Sequence, residues 1–204
     1  GNGGLTIIAE AGVNHAGRIE AALSLVDDAK KAGADYVKLQ AFQPDQHEGA
    51  YRALLEPLAL SERAIECIAG YCACVGIGFI CTPFDLPSLE LVARLKPDAM
   101  KVSSRHVRDH AFLRAVRARW DGPIWQSFGA STFEDVAGAA AITKPEVAFH
   151  CVSAYPAPVK ACSLYRVPMV AAWANDAEYG WSDHTANALV PALAVALGAR
   201  YIEA

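Results

Sequence analysis

Residues 5–15 read LTIIAEAGVNH, an apolar run that becomes polar towards its end. The same change recurs in six later segments: YVKLQ (36–40), GFICTPFD (78–85), AMKVSS (99–104), IWQS (124–127), FHC (149–151) and YGWSDHT (179–185). A barrel of parallel strands builds its active site from the carboxyl ends of those strands. The repeated pattern therefore predicts an α/β fold whose reactive side chains lie at one rim.

The apolar runs alternate with helical patterns along the whole chain. Strands are predicted to begin near Leu5, Tyr36, Gly78, Ala99, Ile124, Glu146, Glu178 and Arg200. Residues 131–134 (STFE) have the form of a capping box that starts a helix, and Gly33 and Gly198 suit helix ends. Eight strands alternating with seven helices favour a (β/α)8 TIM barrel over an open doubly wound sheet, because no G-x-G-x-x-G turn follows the first strand.

The length of the chain is typical of one domain. We expect residues 1–204 to form a single barrel domain whose last helix lies outside this sequence, because complete barrels typically have about 250 residues. The connection from Gln43 to Leu60 is long, and long loops at the catalytic rim of a barrel usually have a function.

Composition excludes several classes of partner. Of the 204 residues, 53% are hydrophobic and 20% are charged, and the net charge is −4. Without a run of lysine and arginine, nucleic acid and membranes are poor partners, and no apolar stretch has membrane-spanning length. The six cysteines include no C-x-x-C pair, so we expect free thiols in a reducing, cytoplasmic environment.

Two lysines stand out because each lies at the end of an apolar strand. Burying the ammonium groups of Lys38 and Lys101 is costly unless an anion neutralises their charge. A substrate with a phosphate and a carboxylate is such an anion. Hydroxyl groups from other strand ends can join them: Thr82, Ser104, Ser127 and Ser182. Each lysine could instead pair with an acidic neighbour as part of the barrel packing.

Five segments together resemble the sialic acid synthase (N-acetylneuraminate synthase) family. They are AEAGVNH (9–15), AGADYVKLQ (32–40), CTPFD (81–85), HCVSAYP (150–156) and SDHT (182–185), within a resemblance that runs from Ile7 to Glu203. Enzymes of this family condense phosphoenolpyruvate with an N-acetylated amino sugar in carbohydrate biosynthesis. The resemblance implies small-molecule substrates and a possible homodimer.

The resemblance also implies the residues of the site. Glu10, Lys38 and Lys101 would be catalytic, and seven residues would bind substrate: Gln40, Thr82, Ser104, Ser127, Ser153, Tyr155 and Ser182. His184 would bind a divalent metal, Mn2+ or Mg2+, and Asp183 or a backbone carbonyl could orient its second nitrogen. The family's second metal ligand follows the eighth strand, beyond Ala204.

Alternatives remain for individual residues. Glu10 suits an acid or base, because an apolar strand end favours the protonated form of a carboxyl group. The alternative is a structural carboxylate that binds a backbone N–H. Tyr155 could be a half-buried packing residue.

The sequence departs from the family in several places. Ser104-Arg105-His106 replaces a Ser-Gly-Glu pattern, which suggests a more anionic acceptor sugar or lost activity. Residues 127–130 (SFGA) replace Ser-Thr-Gly-Met, and the family's C-terminal antifreeze-like domain is not found in residues 1–204.

The expected reaction is therefore a metal-dependent, aldol-type condensation that yields a nine-carbon 2-keto-3-deoxy acid and phosphate. One alternative is a Schiff-base aldolase with Lys101 as nucleophile. Another is a degenerate barrel that binds a sugar or a partner without turnover.

Overall fold

The structure is a computed structural model that describes residues 4–46 and 48–204. Its eight parallel strands follow one another in sequence order and close into a barrel, which confirms the predicted (β/α)8 fold. The strands are β1 (Thr6–Gly12), β2 (Tyr36–Ala41), β3 (Gly78–Pro83), β4 (Ala99–Val102), β5 (Ile124–Ser127), β6 (Val147–Cys151), β7 (Glu178–Ser182) and β8 (Tyr201–Glu203).

Seven helices connect the strands as predicted, and an eighth, short helix is additional. The helices are α1 (Ile19–Lys31), α2 (Gly49–Leu55), α3 (Glu62–Val75), α4 (Leu86–Leu95), α5 (His110–Arg119), α6 (Phe133–Thr143), α7 (Arg166–Trp173) and α8 (Leu189–Ala196). The additional helix is α2, which lies in the long connection between β2 and β3. His47, in the same connection, lies outside the described residues.

Local signals explain the helix ends. Gly33 and Gly198, which follow α1 and α8, have φ angles of 83° and 102°, a backbone region that glycine adopts at little cost. The capping box of α6 lies one residue later than predicted. Thr132 is the N-cap and exchanges hydrogen bonds with Asp135, whereas the Ser131 hydroxyl donates to the carbonyl of Gly129.

The chain divides into two compact units, which are described separately. One comprises residues 9–100, and the other comprises, of the described residues, 4–8 and 101–204. In the first unit, β2 and β3 pair over six residues, with Lys38 opposite Ile80 and Gln40 opposite Thr82. Because paired residues of parallel strands project from the same face, Lys38, Gln40 and Thr82 share one face of this pair.

The second unit carries a row of polar side chains across three strands. Cys151 in β6 lies opposite Ser182 in β7, and Ser182 lies opposite Glu203 in β8. Beside them, Ser127 in β5 lies opposite Phe149 in β6. The other face of this unit packs on a buried apolar cluster that consists of Cys162, Val167, Trp181, Val190, Ala194, Ala199 and Ile202.

Two further findings concern the whole described chain. All six cysteines are free thiols, as predicted. No helix within residues 4–46 and 48–204 combines the length and apolar character needed to cross a membrane.

Candidate active site

A buried lysine forms the centre of the site in the second unit. The Lys101 side chain is only 2% exposed, and its ammonium group donates to the Glu203 carboxylate and the Ser127 hydroxyl, each at 2.8 Å. The ammonium group also lies 4.7 Å from the centre of the Phe149 ring, within range of a cation–π contact. The low-dielectric surroundings strengthen each of these contacts.

Ser182 and Glu203 extend this network to the metal-ligand candidate. The Ser182 hydroxyl donates to Glu203 at 2.7 Å, and its oxygen lies 3.3 Å from Nε2 of His184. Nδ1 of His184 lies 2.5 Å from the carbonyl oxygen of Val152. A carbonyl only accepts, so Nδ1 carries a proton and donates it to Val152, which leaves Nε2 as the nitrogen that faces Ser182.

The second nitrogen of His184 is thus oriented by a backbone carbonyl and not by Asp183. The Asp183 carboxylate instead accepts hydrogen bonds from the indole of Trp181 at 3.0 Å and the hydroxyl of Thr185 at 3.0 Å. Of the two alternatives for this nitrogen, the structure selects the carbonyl of Val152.

Ser104 belongs to a tight cluster at the ends of β4, β5 and β6. Its hydroxyl oxygen accepts the Gly129 N–H at 2.8 Å and lies 3.3 Å from the sulfur of Cys151. Ser153, by contrast, is an exposed residue of the loop that follows β6. A side chain at Gly129 would collide with this cluster, because an added Cβ would lie 2.5 Å from Oγ of Ser153 and 2.7 Å from Sγ of Cys151.

The first unit contains a second carboxylate–lysine pair. The Glu10 carboxylate lies 2.5 Å from the ammonium group of Lys38, whose side chain is 6% exposed. Next to it, the position of a Cβ on Gly12 lies 2.9 Å from Oε1 of Glu10 and 3.5 Å from Nε2 of Gln40. Glu10, Lys38 and Gln40 therefore lie together in this unit.

Thr82 is buried on the same strand pair. Its hydroxyl oxygen has no hydrogen-bond partner among the residues that the structure describes. Buried polar groups are normally paired, so this hydroxyl is suited to a ligand or an ordered water.

Both lysines pair with a carboxylate, which is the alternative that the sequence left open. The pairing does not conflict with an anion site, because an ammonium group has three N–H donors. It does mean that neither lysine depends on a ligand to balance its charge.

Tyr155 does not pack as a half-buried residue. It is 80% exposed, and its ring centre lies 4.2 Å from that of His184. This position beside His184 leaves the ring accessible to a ligand.

His106, the residue that departs from the family pattern, is buried and faces its own loop. Its ring is stacked on Phe112 with 4.0 Å between centres, and Nδ1 lies 3.9 Å from the Asp109 carboxylate. Arg105 beside it is exposed. The imidazole thus packs on the start of α5.

His184 is a candidate for one ligand of a metal ion. Nδ1 of His184 is held by the carbonyl of Val152, the arrangement in which metal-binding histidines present Nε2 to the metal. No group of three His, Cys, Asp or Glu side chains that could hold a metal occurs among the described residues. Among the described residues, the fit to a metal is therefore limited to a single imidazole.

Sequence reasoning missed Glu203, although it joins Lys101 to Ser182. Its side chain is 5% exposed, and Lys101 is 102 positions away in the sequence. The available signal was a charged residue at the end of an apolar strand, the same signal that identified the two lysines. Cys151 and Gly129, which hold Ser104, were also absent from the predicted site.

The chain is similar to known proteins over most of its length. The model of the NeuB family matches residues 25–204. The spore coat polysaccharide biosynthesis protein SpsE of Bacillus subtilis is 34% identical over 97% of this chain and 58% of its own length. A pseudaminic acid synthase of Campylobacter jejuni is 33% identical over 97% of this chain and 63% of its own length.

A solved structure is similar in fold as well as in sequence. The N-acetylneuraminic acid synthetase of Leptospira borgpetersenii, crystallised with citrate, has a TM-score of 0.91 and 29% identity, covering 100% of this chain and 73% of its own. The chain spans about 60% of the length of the curated relatives that it matches.

Proposed function

The chain belongs to the NeuB family, and from this premise we propose that it catalyses the condensation of phosphoenolpyruvate with an N-acetylated amino sugar. The products would be a nine-carbon 2-keto-3-deoxy acid and phosphate. Support comes from the names of its relatives, a pseudaminic acid synthase and a sialic acid synthetase. A phosphoenolpyruvate-dependent enzyme with six free thiols would suit the cytoplasm.

The main structural support for the proposal is a buried ammonium group at the ends of strands, with hydroxyl groups beside it. Lys101 and Ser127 meet at 2.8 Å, and Ser104 lies on the turn that follows the strand of Lys101. An oxyanion held there would receive a charge-assisted hydrogen bond from the lysine, the kind that is shorter and stronger than neutral bonds. Phosphoenolpyruvate offers such oxygens on both its phosphate and its carboxylate.

The bond changes of the proposed reaction assign roles to the other residues. C3 of phosphoenolpyruvate forms a C–C bond to the aldehyde carbon of the sugar, water adds at C2, and the C–O bond to phosphate breaks. Glu10 would move a proton in these steps, while Lys38 holds its carboxylate in place. Gln40, Ser153 and Tyr155 would contact the sugar.

His184 would contribute one ligand, through Nε2, to a bound Mn2+ or Mg2+. A metal ion there would act as a Lewis acid on the sugar aldehyde. The carbonyl of Val152 fixes the orientation of the ring by accepting the Nδ1 proton, so that Nε2 would be the metal-binding nitrogen. Ser182 would not donate a hydrogen bond to the substrate, because its proton is already donated to Glu203.

The Schiff-base alternative has weaker support in this geometry. A nucleophilic lysine must lose its proton, whereas the Lys101 ammonium is held by a carboxylate at 2.8 Å that favours the charged form. Reduction with borohydride in the presence of substrate would trap a covalent adduct only on the Schiff-base route.

The test is phosphate release from phosphoenolpyruvate with Mn2+ and a panel of N-acetylated hexosamines. We expect release that requires one class of sugar and is lost in His184→Ala and Lys101→Ala. Manganese binding, followed by electron paramagnetic resonance, should weaken in His184→Ala and stay unchanged in the exposed-surface control Arg52→Ala. Unchanged turnover in Lys101→Ala would remove the central support, and retained metal and sugar binding without turnover would favour the degenerate barrel.

A further inference from the structure

We propose that Gly129 and Cys151 are positioning residues that fix the Ser104 hydroxyl as a hydrogen-bond donor to an anionic oxygen of the substrate. The identity of that substrate, phosphoenolpyruvate, rests on the function proposed above. The inference about the hydroxyl itself rests on the hydrogen bonds around Ser104.

Two neighbours contact the hydroxyl oxygen of Ser104. The backbone N–H of Gly129 donates to its oxygen at 2.8 Å. The sulfur of Cys151 lies 3.3 Å from the same oxygen, a distance at which either atom could donate. The direction of this second bond decides what Ser104 can offer to a ligand.

In the proposed arrangement the thiol is the donor in this pair, one of the two directions that the 3.3 Å distance allows. Cys151 is only 4% exposed, and burial raises the pKa of its thiol even though Ser104 and the charge of Lys101 act in the opposite direction. The sulfur therefore keeps a proton that it can donate, and the proposed arrangement places that proton in the bond to Ser104. A serine hydroxyl has two acceptor lone pairs and one proton, so with both lone pairs filled only the proton of Ser104 remains to bind a ligand.

Packing holds this arrangement in place. A Cβ at residue 129 would lie 3.1 Å from Oγ of Ser104, in addition to its collisions with Cys151 and Ser153. Glycine therefore allows the backbone N–H to approach the hydroxyl, which a side chain would push away. Cys151 in turn lies opposite Ser182, within the polar row of the second unit.

The consequence is a pair of donors of different kinds on this side of the site. Lys101 supplies a charged donor, and in the proposed arrangement Ser104 supplies a neutral one whose proton is used by neither neighbour. Preorganised donors stabilise an oxyanion without reorganisation when it binds. Ser182 differs from Ser104, because its own proton is committed to Glu203.

The direction of the bond can be tested in the ligand-free protein by infrared spectroscopy. The S–H stretch of cysteine absorbs where other protein groups do not, and the difference between wild type and Cys151→Ala isolates the Cys151 band. We expect this band to move to higher frequency in Ser104→Ala, because the thiol loses its acceptor. A band that does not move would overturn the proposal.

The functional part is tested by a double-mutant cycle on the dissociation constant of phosphoenolpyruvate, measured by calorimetry. Cys151→Ala should weaken binding by about 2- to 10-fold, the range of one neutral hydrogen bond, and Cys151→Ser should restore most of the affinity because it keeps a donor. In the Ser104→Ala background, Cys151→Ala should have no further effect.

An equal loss in both backgrounds would mean that Cys151 acts only through packing, and the proposal would fail. That result is distinct from failure of the proposed function, in which wild type itself would not bind phosphoenolpyruvate.

Discussion

The ammonium group of Lys101 and the carboxylate of Glu203 lie 2.8 Å apart, with side chains that are 2% and 5% exposed. Neither charge is solvated by bulk water, so each is stabilised by the other and by the hydroxyl group of a serine. Removal of one partner of such a pair leaves an uncompensated buried charge, whereas replacement of both by apolar residues can be nearly neutral.

Lys101→Met should therefore lower the free energy of unfolding by about 3–5 kcal/mol. The double variant Lys101→Met/Glu203→Met should recover most of that loss, and urea denaturation measures both. The matched control is Arg52→Ala, which breaks an exposed pair with Glu56 at 2.9 Å and should cost less than about 1 kcal/mol. Additive losses in the double variant would contradict the coupling.

The sequence predicted the strands well because each of them carries its own signal. Five strands begin at the predicted residue, and β1, β6 and β8 begin one residue later, at Thr6, Val147 and Tyr201. Apolar runs with polar ends depend on burial within one strand, which is a local property. The capping box was displaced by one residue because Ser131 and Thr132 are chemically equivalent candidates and only the hydrogen bonds distinguish them.

The site was less predictable, because its contacts join distant positions. Glu203 meets Lys101 through closure of a loop of about a hundred residues, which no local pattern encodes. His184 offered two possible partners for its second nitrogen, and the choice of Val152 depends on how β6 and β7 align. Tyr155 could not be placed from its residue type, since tyrosine is common both in cores and at binding surfaces.

Gly129→Ala should destabilise the protein by about 1–3 kcal/mol, the usual cost of excess volume in a packed region. The added methyl group would lie 2.5 Å from Oγ of Ser153 and 3.1 Å from Oγ of Ser104. Thermal unfolding of the variant gives the change in stability.

A second glycine provides the matched control. Gly70, inside α3, has no heavy atom within 4 Å of the position of a Cβ. Gly70→Ala should therefore stabilise the protein by about 0.5–1 kcal/mol through helix propensity. Equal effects of the two substitutions would contradict the close contacts at Gly129.

The six thiols should react in two classes. Cys67 and Cys74 are exposed, whereas the other four are buried, and burial raises the pKa of Cys72 and of Cys81 to about 12. Because the thiolate is the reactive form, we expect two cysteines to react promptly with Ellman's reagent in the folded protein and all six in urea. Prompt reaction of a third thiol in the native state would be inconsistent with the burial of the other four.

Acid should destabilise the fold through His150. Burial lowers the pKa of this histidine from 6.5 to about 4, so between these values the unfolded chain binds a proton that the folded protein does not. Stability should fall as the pH decreases through this window, by up to about 3 kcal/mol from this residue.

Urea denaturation at pH 7 and pH 5 measures this dependence. His150→Gln should be less stable at pH 7, because it disturbs the hydrogen bond to the Cys162 carbonyl. The same variant should lose less stability on acidification than wild type. An unchanged pH dependence would assign the effect to other groups.

The bond between Lys101 and Glu203 also has a kinetic consequence. Contacts between residues far apart in sequence form late, because the entropy of closing a long loop opposes them until other structure is in place. Glu203 meets Ser182 across 21 positions but Lys101 across 102, so the first contact should precede the second during folding. The charges of Lys101 and Glu203 would then remain hydrated until β8 has docked, and substitutions at Lys101 should speed unfolding while leaving the folding rate almost unchanged.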